Sequence, residues 1–60
     1  MKYSFEKGDH VLDLSDRLGI VLEILEGQME GYFKVQIIEG QYEGKIWPFV
    51  GAALRKVERK

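Results

Sequence analysis

The chain has no cysteine, and it holds only one proline, one histidine and one tryptophan among its 60 residues. Without thiols it can form neither a disulfide nor a thiolate metal site. A domain this short buries only about 60% of its unfolded surface, so it needs an efficient core or added stability from oligomerisation. The absence of cysteine fits a reducing compartment, and we expect a cytoplasmic protein.

A surplus of either charge is also missing, because nine Lys and Arg residues oppose ten Asp and Glu residues, which leaves a formal net charge of −1. Domains that bind DNA or RNA usually carry a basic footprint, so nucleic acid is the less favoured partner here. No apolar run approaches the roughly 20 residues of a membrane span. Residues 1–6 also lack the apolar segment of a signal peptide. We therefore expect no membrane partner.

Residue types that carry catalysis or bind metals are scarce as well. His10 is the only histidine, so it cannot form a metal cluster by itself, and we interpret it as an outward strand residue. Asp9 is interpreted as a turn residue that accepts hydrogen bonds from nearby backbone N–H groups. The glutamates show no acid–base pairing, and the glycines form no phosphate-binding motif. The sequence predicts no catalytic residue, no metal site and no cofactor.

What the chain does have is seven glycines that divide it into short apolar runs. This spacing predicts one all-β domain over residues 1–60, frayed at 1–4 and 59–60, whose five short strands close into a small barrel. Pro48 is expected either to end the fourth strand or to lie at a sheet edge. A tight 3₁₀ turn over 50–54 is expected before the last strand. The strands are predicted at residues 10–14, 19–25, 32–38, 44–47 and 54–57.

Two helical alternatives remain open. Leu18, Leu22 and Leu25 share one face of a helix, although the β-branched residues between them favour a strand. At the chain end, a helix over residues 51–60 is the alternative to a 3₁₀ turn followed by a strand.

Side-chain alternation is clearest over residues 32–38, where Phe33, Val35 and Ile37 take one face and Tyr32 takes the other. The first of these faces is predicted to point inward. Phe5, on the N-terminal arm, is expected to pack against the same core. The predicted buried residues are Val11, Val21, Phe33, Val35, Ile37, Ile46 and Leu54.

Aromatic residues provide the candidate binding site. If Ile46 points inward, its neighbour Trp47 points outward, on the side that Tyr32 also takes. An exposed tryptophan beside a tyrosine is typical of a recognition surface. The alternative is that the aromatics cover the open end of the barrel or lie in a subunit interface. The predicted binding residues are Tyr32, Trp47, Tyr42, Phe49, Lys45 and Arg55.

One basic cluster, at residues 55–60, offers a second candidate site. Its ordinary interpretation is a solvated strand followed by a frayed tail. The functional alternative is an edge that contacts phosphates of a nucleic acid, with Tyr or Trp stacking on the bases.

Several segments together resemble an SH3-like barrel, of the group that includes a small accessory protein of photosystem I and the plasmid-encoded type II dihydrofolate reductases. The resemblance covers roughly residues 5–58 and implies a five-stranded barrel with one 3₁₀ turn before the last strand. Its motifs are short, and they are not specific to this group, because a Gly-Asp-x-Val opening recurs in many small barrels. The segments are Gly8-Asp9-His10-Val11, Gly19-Ile20-Val21, Gly31-Tyr32-Phe33-Lys34-Val35, Ile46-Trp47-Pro48 and Ala52-Ala53-Leu54-Arg55-Lys56-Val57.

The reductase family has an active-site strand that reads Val-Gln-Ile-Tyr-Pro, and the matching stretch here keeps only the Ile and the Pro. Lys45 stands where the family has its ligand-binding Gln, and Trp47 replaces the Tyr. Basic residues that follow the family's opening motif are replaced by Leu12, Asp13 and Leu14, which removes positive charge meant for anionic ligands. Fold likeness alone does not confer function.

We therefore expect a non-enzymatic binding module for a protein partner, or for another copy of itself. Nucleic-acid binding through residues 55–60 is the alternative, and a reductase-like oligomer is the second alternative.

Overall fold

The computed structural model describes residues 5–57, which form a single sheet of five antiparallel strands with two short 3₁₀ turns. The sheet order is β4-β3-β2-β1-β5, so the ladder of these residues is linear and ends at β4 and at β5. The all-β prediction is confirmed. The strands are β1 (His10–Leu12), β2 (Leu18–Ile24), β3 (Tyr32–Ile37), β4 (Ile46–Val50) and β5 (Arg55–Lys56).

Neither helical alternative is present in the described part of the chain. Residues 18–24 form β2, and the chain end up to residue 57 forms a 3₁₀ turn at Gly51–Ala53 followed by β5, as predicted. A second 3₁₀ turn, at Gly27–Met29, lies between the second and third strands. The predicted fraying at residues 1–4 and 59–60 concerns residues outside the described range.

The fourth strand differs most from its prediction, because it begins at Ile46 and continues through Pro48 to Val50. Backbone hydrogen bonds from Ile37 N to Lys45 O (2.8 Å) and from Gly51 N to Gly31 O (3.0 Å) mark bonded pairs beyond both ends of β4. Since bonded and non-bonded pairs alternate in an antiparallel ladder, the pair of Pro48 with Lys34 is non-bonded. The nitrogen of Pro48 therefore faces the free edge, where its missing N–H breaks no ladder bond.

A β-bulge sets the register of β4. Gly44, at φ +93°, donates its N–H to the carbonyl of Ile37 (2.7 Å), while the N–H of Ile37 donates to the carbonyl of Lys45. Gly44 and Lys45 thus both lie opposite Ile37, and the first of them is a glycine in the left-handed conformation. This arrangement decides which face of the sheet each residue of β4 occupies.

The core lies on one face of the sheet, which we call the inner face. Phe5 packs edge-on against Phe33 with ring centroids 5.1 Å apart, so the predicted anchoring of the N-terminal arm is confirmed. Six of the seven predicted core residues are buried. The buried apolar side chains are Phe5, Val11, Val21, Phe33, Val35, Ile37 and Leu54.

The prediction for Ile46 is wrong, since this side chain is 49% exposed. Trp47 lies directly opposite Val35 in the β3–β4 ladder, and Phe49 lies directly opposite Phe33. Residues opposite each other in a ladder share a face. Trp47 and Phe49 therefore lie on the inner face, and Ile46 lies on the opposite, outer face.

Close packing between β2 and β3 requires a glycine at position 19. A Cβ added to Gly19 would lie 2.5 Å from Cγ1 of Val35 and 3.0 Å from the carbonyl oxygen of Gln36. Both distances are shorter than normal van der Waals contact, so a side chain at position 19 would force Val35 or the β3 backbone to shift.

Candidate functional site

The turn between β1 and β2 and the loop between β3 and β4 meet at one end of the sheet, which we call the loop end (residues 13–17 and 38–45). The backbone N–H of Ile38 donates to the carbonyl of Leu18 at 3.0 Å, which joins the start of β2 to the end of β3. The two connections are therefore neighbours in space although they are distant in sequence.

The β1–β2 turn is built around the carboxylate of Asp13, which is only 4% exposed. Its Oδ1 accepts the backbone N–H groups of Ser15 (2.8 Å) and Arg17 (3.0 Å). Its Oδ2 accepts the Nε–H of Arg17 at 2.8 Å. Asp16 adopts the left-handed conformation, at φ +63°, which Asp tolerates better than most residues. One buried side chain thus fixes both the turn and the position of Arg17.

Opposing influences act on the pKa of Asp13. Burial by itself would raise this pKa, because it disfavours the charged form. The hydrogen bonds from Arg17 and Ser15, together with the positive charge of Arg17, outweigh burial and hold the pKa of Asp13 below its usual value. The carboxylate is therefore ionised at neutral pH.

Arg17 connects the β1–β2 turn to the β3–β4 loop and to β4. Its guanidinium carbon lies 5.2 Å from the ring centroid of Tyr42 and 5.3 Å from that of Trp47. The two rings are tilted by 56°, with centroids 5.5 Å apart. Both guanidinium distances fall within the range of cation–π attraction. We call the group of Arg17, Tyr42 and Trp47 the aromatic corner.

The structure brings three of the six predicted binding residues into contact with one another. Tyr42, Trp47 and Phe49 form a chain of contacts, because Phe49 meets Trp47 edge-on at 6.4 Å and also packs against the core. Trp47 and Phe49 are half-buried, whereas Tyr42 is 38% exposed. Lys45 is exposed in the same loop as Tyr42.

Tyr32 does not join this group. It lies on the outer face, at the opposite end of β3, directly opposite Val50. The prediction that Trp47 and Tyr32 form one outward patch is therefore wrong. Its error follows from the reversed parity of β4, which places Trp47 beside Val35 on the inner face.

Arg55 is exposed and forms an ion pair with Asp16 (2.5 Å), and Lys56 forms a longer one with Asp9 (3.5 Å). Both basic residues of β5 thus face a carboxylate, which reduces the positive field that a phosphate would meet. The rest of the predicted basic edge, at 58–60, lies outside the described residues.

Asp9 precedes β1 and His10 begins it, and both were interpreted as residues without a catalytic role. Asp9 Oδ2 accepts the backbone N–H of Glu6 at 2.9 Å, as predicted for a turn residue. His10 pairs with Ile20 and lies half-buried on the outer face. Within residues 5–57, no three His, Asp or Glu side chains are grouped closely enough to hold a metal ion.

The sequence analysis missed the roles of Asp13, Leu14 and Arg17, because it placed Asp13 and Leu14 in the first strand, which ends at Leu12, and left Arg17 in the connection to the second. Leu14 is 83% exposed at the tip of the turn. Aspartate side chains in turns often accept the backbone N–H two residues further on, and this preference would have pointed to Asp13. Nothing in the local sequence links Arg17 to Trp47.

The part of the chain that the structure describes contains no helix with the length and apolar character that a membrane crossing requires. Comparison with protein-family models, with curated proteins and with solved structures found no match. We therefore infer function from the geometry of residues 5–57.

Proposed function

We propose that this chain is a small SH3-like barrel and a non-enzymatic module that binds a protein partner at its loop end. Five antiparallel strands in the order β4-β3-β2-β1-β5, with a 3₁₀ turn just before β5, support the choice of fold. Small barrels of this type serve mostly as binding platforms, but the site and not the fold has to carry the function.

The observation that carries the proposal is the aromatic corner. Trp, Tyr and Arg are the three residue types most enriched among the energetic hot spots of protein interfaces. Here one of each is in mutual contact at the surface. Tyr42 is well exposed, and about a third of the Arg17 side chain (32%) is accessible. A partner can therefore reach both residues.

The corner is also held in place before a partner arrives. Asp13 fixes Arg17 through the Nε–H bond, and Arg17 in turn covers the two rings. A surface whose side chains are already ordered loses less conformational entropy on binding. Preorganisation of this kind favours recognition of a partner over simple coverage of the core.

The chemistry of the corner suggests the chemistry of the partner. Asp13 occupies the Nε–H of Arg17, while the terminal guanidinium nitrogens donate no hydrogen bond to another residue between 5 and 57. These nitrogens are suited to a carboxylate. Leu14, on the same turn, adds an exposed apolar side chain. We propose that the partner segment presents an acidic residue next to an apolar or aromatic one.

The test is selection of binders from a random peptide library with the wild-type chain as bait, followed by titration of the selected peptides. We expect enriched sequences that combine an acidic with an apolar residue. Tyr42→Ala should weaken their binding by roughly 2 kcal/mol, the loss typical of an interface anchor.

Tyr32→Ala is the matched control, because Tyr32 is exposed to the same degree (37% against 38%) but lies on the outer face. It should leave peptide affinity unchanged. Loss of binding in Tyr32→Ala with full binding in Tyr42→Ala would contradict the proposal, and so would a selection that enriches no sequence.

A further inference from the structure

The outer face of the sheet is unusually apolar at its β4 end. An antiparallel sheet that covers a core with one face normally turns polar side chains toward solvent on the other. On β4, however, all three outward positions are apolar, and all three are exposed: Ile46, Pro48 and Val50. This is the same parity that places Trp47 and Phe49 on the inner face.

The apolar surface extends across neighbouring strands. Val50 lies directly opposite Tyr32, and Ile46 lies in one cross-strand row with Ile20, with Gln36 between them. We call the surface formed by Ile20, Tyr32, Ile46, Pro48 and Val50 the outer patch. It shares no residue with the aromatic corner.

One ion pair lies in the middle of this surface. A bulge shifts the register of β2 between Val21 and Glu23. Glu23 therefore lies directly opposite Lys34, on the outer face of the sheet. The Nζ of Lys34 lies 3.4 Å from Oε1 of Glu23, and Lys34 is also the cross-strand neighbour of Pro48. A surface that carries both charges side by side is complementary to itself, because a two-fold axis brings Lys34 of one copy to Glu23 of the other.

Pairing of the free β4 edge with another strand is disfavoured. The backbone groups that point away from β3 belong to Ile46, Pro48 and Val50, and the central one of these has no N–H. A proline at this position interrupts any ladder that an added strand would form. Association at this end must therefore use the face of the sheet and not its edge.

We propose that the outer patch is covered by a second copy of the chain, packed face to face about a two-fold axis. The patch spans three strands, β2, β3 and β4, and the five residues of β4, which is about 14 Å by 17 Å. Such an area is smaller than that of a standard stable interface, about 800 Å² per partner. The dimer is therefore weak and forms at high protein concentration.

Sedimentation equilibrium of the wild-type chain from about 10 μM to about 1 mM tests this proposal in a range suited to a weak complex. The average mass should rise toward that of a dimer. Ile46→Lys should weaken association at least tenfold. Leu14→Lys is the matched control, because it makes the same change at an exposed apolar residue of the loop end, outside the patch, and should associate like the wild type.

The central ion pair gives a test that does not depend on Ile46→Lys folding. Lys34→Glu should weaken the dimer, because it brings like charges together across the two-fold axis. The double variant Glu23→Lys/Lys34→Glu should restore association, since it recreates both pairs in reverse. Circular dichroism would verify that each variant is folded.

Three results would overturn the proposal. The first is a wild-type chain that remains monomeric over the whole range, which would leave the patch to a different protein or to solvent. The second is association that Ile46→Lys or Lys34→Glu leaves unchanged. The third is equal disruption by Leu14→Lys, which would move the contact to the loop end.

Discussion

Replacing Asp13 by asparagine should separate the two roles of its carboxylate. The Oδ1 of an asparagine can still accept the backbone N–H groups of Ser15 and Arg17, so the turn keeps two of its hydrogen bonds. Its amide NH₂, however, would meet the Nε–H of Arg17, donor against donor. The variant therefore loses the charge-assisted bond and leaves a buried donor without an acceptor.

Hydrogen bonds to charged groups contribute about 1.5–3 kcal/mol, so we expect Asp13→Asn to lower the free energy of unfolding by about 2–3 kcal/mol. The whole domain should have only roughly 3–9 kcal/mol of stability, from the usual value per residue. With a urea dependence of about 1 kcal/mol/M, the unfolding midpoint should fall by about 2–3 M. Trp47 is the only tryptophan, and its contact with Arg17 makes its fluorescence a direct reporter.

The pH dependence provides an independent check. The pKa of Asp13 is lower in the folded chain than its usual value, so the ionised carboxylate stabilises the fold above that usual value. This stabilisation is lost as the pH falls through the lower, folded pKa. Asp13→Asn should therefore lose less stability than the wild type when both are acidified.

Asp16→Asn is the control, because Asp16 belongs to the same turn but forms an exposed ion pair with Arg55. Such pairs contribute at most about 1 kcal/mol. If Asp13→Asn unfolded at the same urea concentration as the wild type, or weakened no more than Asp16→Asn, the central role of Asp13 in the turn would be refuted.

Two further predictions concern packing. Gly19→Ala should destabilise the chain by about 1–3 kcal/mol through steric overlap with Val35. Val35→Ala should lower the free energy of unfolding less in the Gly19→Ala variant than in the wild type, because it removes the overlapping side chain. If urea unfolding showed the two losses to be strictly additive, the contact between positions 19 and 35 would be refuted. Trp47→Ala should lower stability by about 2 kcal/mol, because Trp47 is half-buried between Tyr42 and Phe49. An unchanged melting temperature for Trp47→Ala would place this side chain outside the packed face.

Sequence reasoning succeeded where one local pattern decides the outcome. The strict alternation over residues 32–38 identified β3 and its buried face, since a period of two fits only a strand with one face covered. The Gly-Ala-Ala stretch likewise indicated the 3₁₀ turn at Gly51–Ala53. In both cases the structure depends on residues that are close together in the sequence.

Sequence reasoning failed for β4, because the face that each of its side chains occupies depends on the pairing with another strand. The side that Trp47 takes is set by register against β3, and that register follows from the bulge at Gly44. A shift of one residue moves every side chain to the other face. Pro48 was expected either to end the fourth strand or to lie at a sheet edge, and the structure has it at the edge, where the strand continues through it.

The aromatic corner was only partly predictable. Its aromatic members were identified by residue type, but Arg17 and Trp47 are 30 positions apart and meet only because two loops lie at one end of the sheet. Contacts of this range depend on topology, which the local pattern does not encode. The same holds for Asp13, whose effect on the rings passes through Arg17.

The most direct test of the proposed function is chemical-shift mapping by NMR, in which a selected peptide is titrated into the isotope-labelled wild-type chain. Binding at the loop end predicts that the largest amide shifts lie in residues 13–17 and 41–47, together with the indole N–H of Trp47. Amides around Tyr32 and Val50 should change little. Shifts centred on β5, or on the outer face around Tyr32, with residues 13–17 and 41–47 unaffected, would contradict the assignment of the loop end as the binding site.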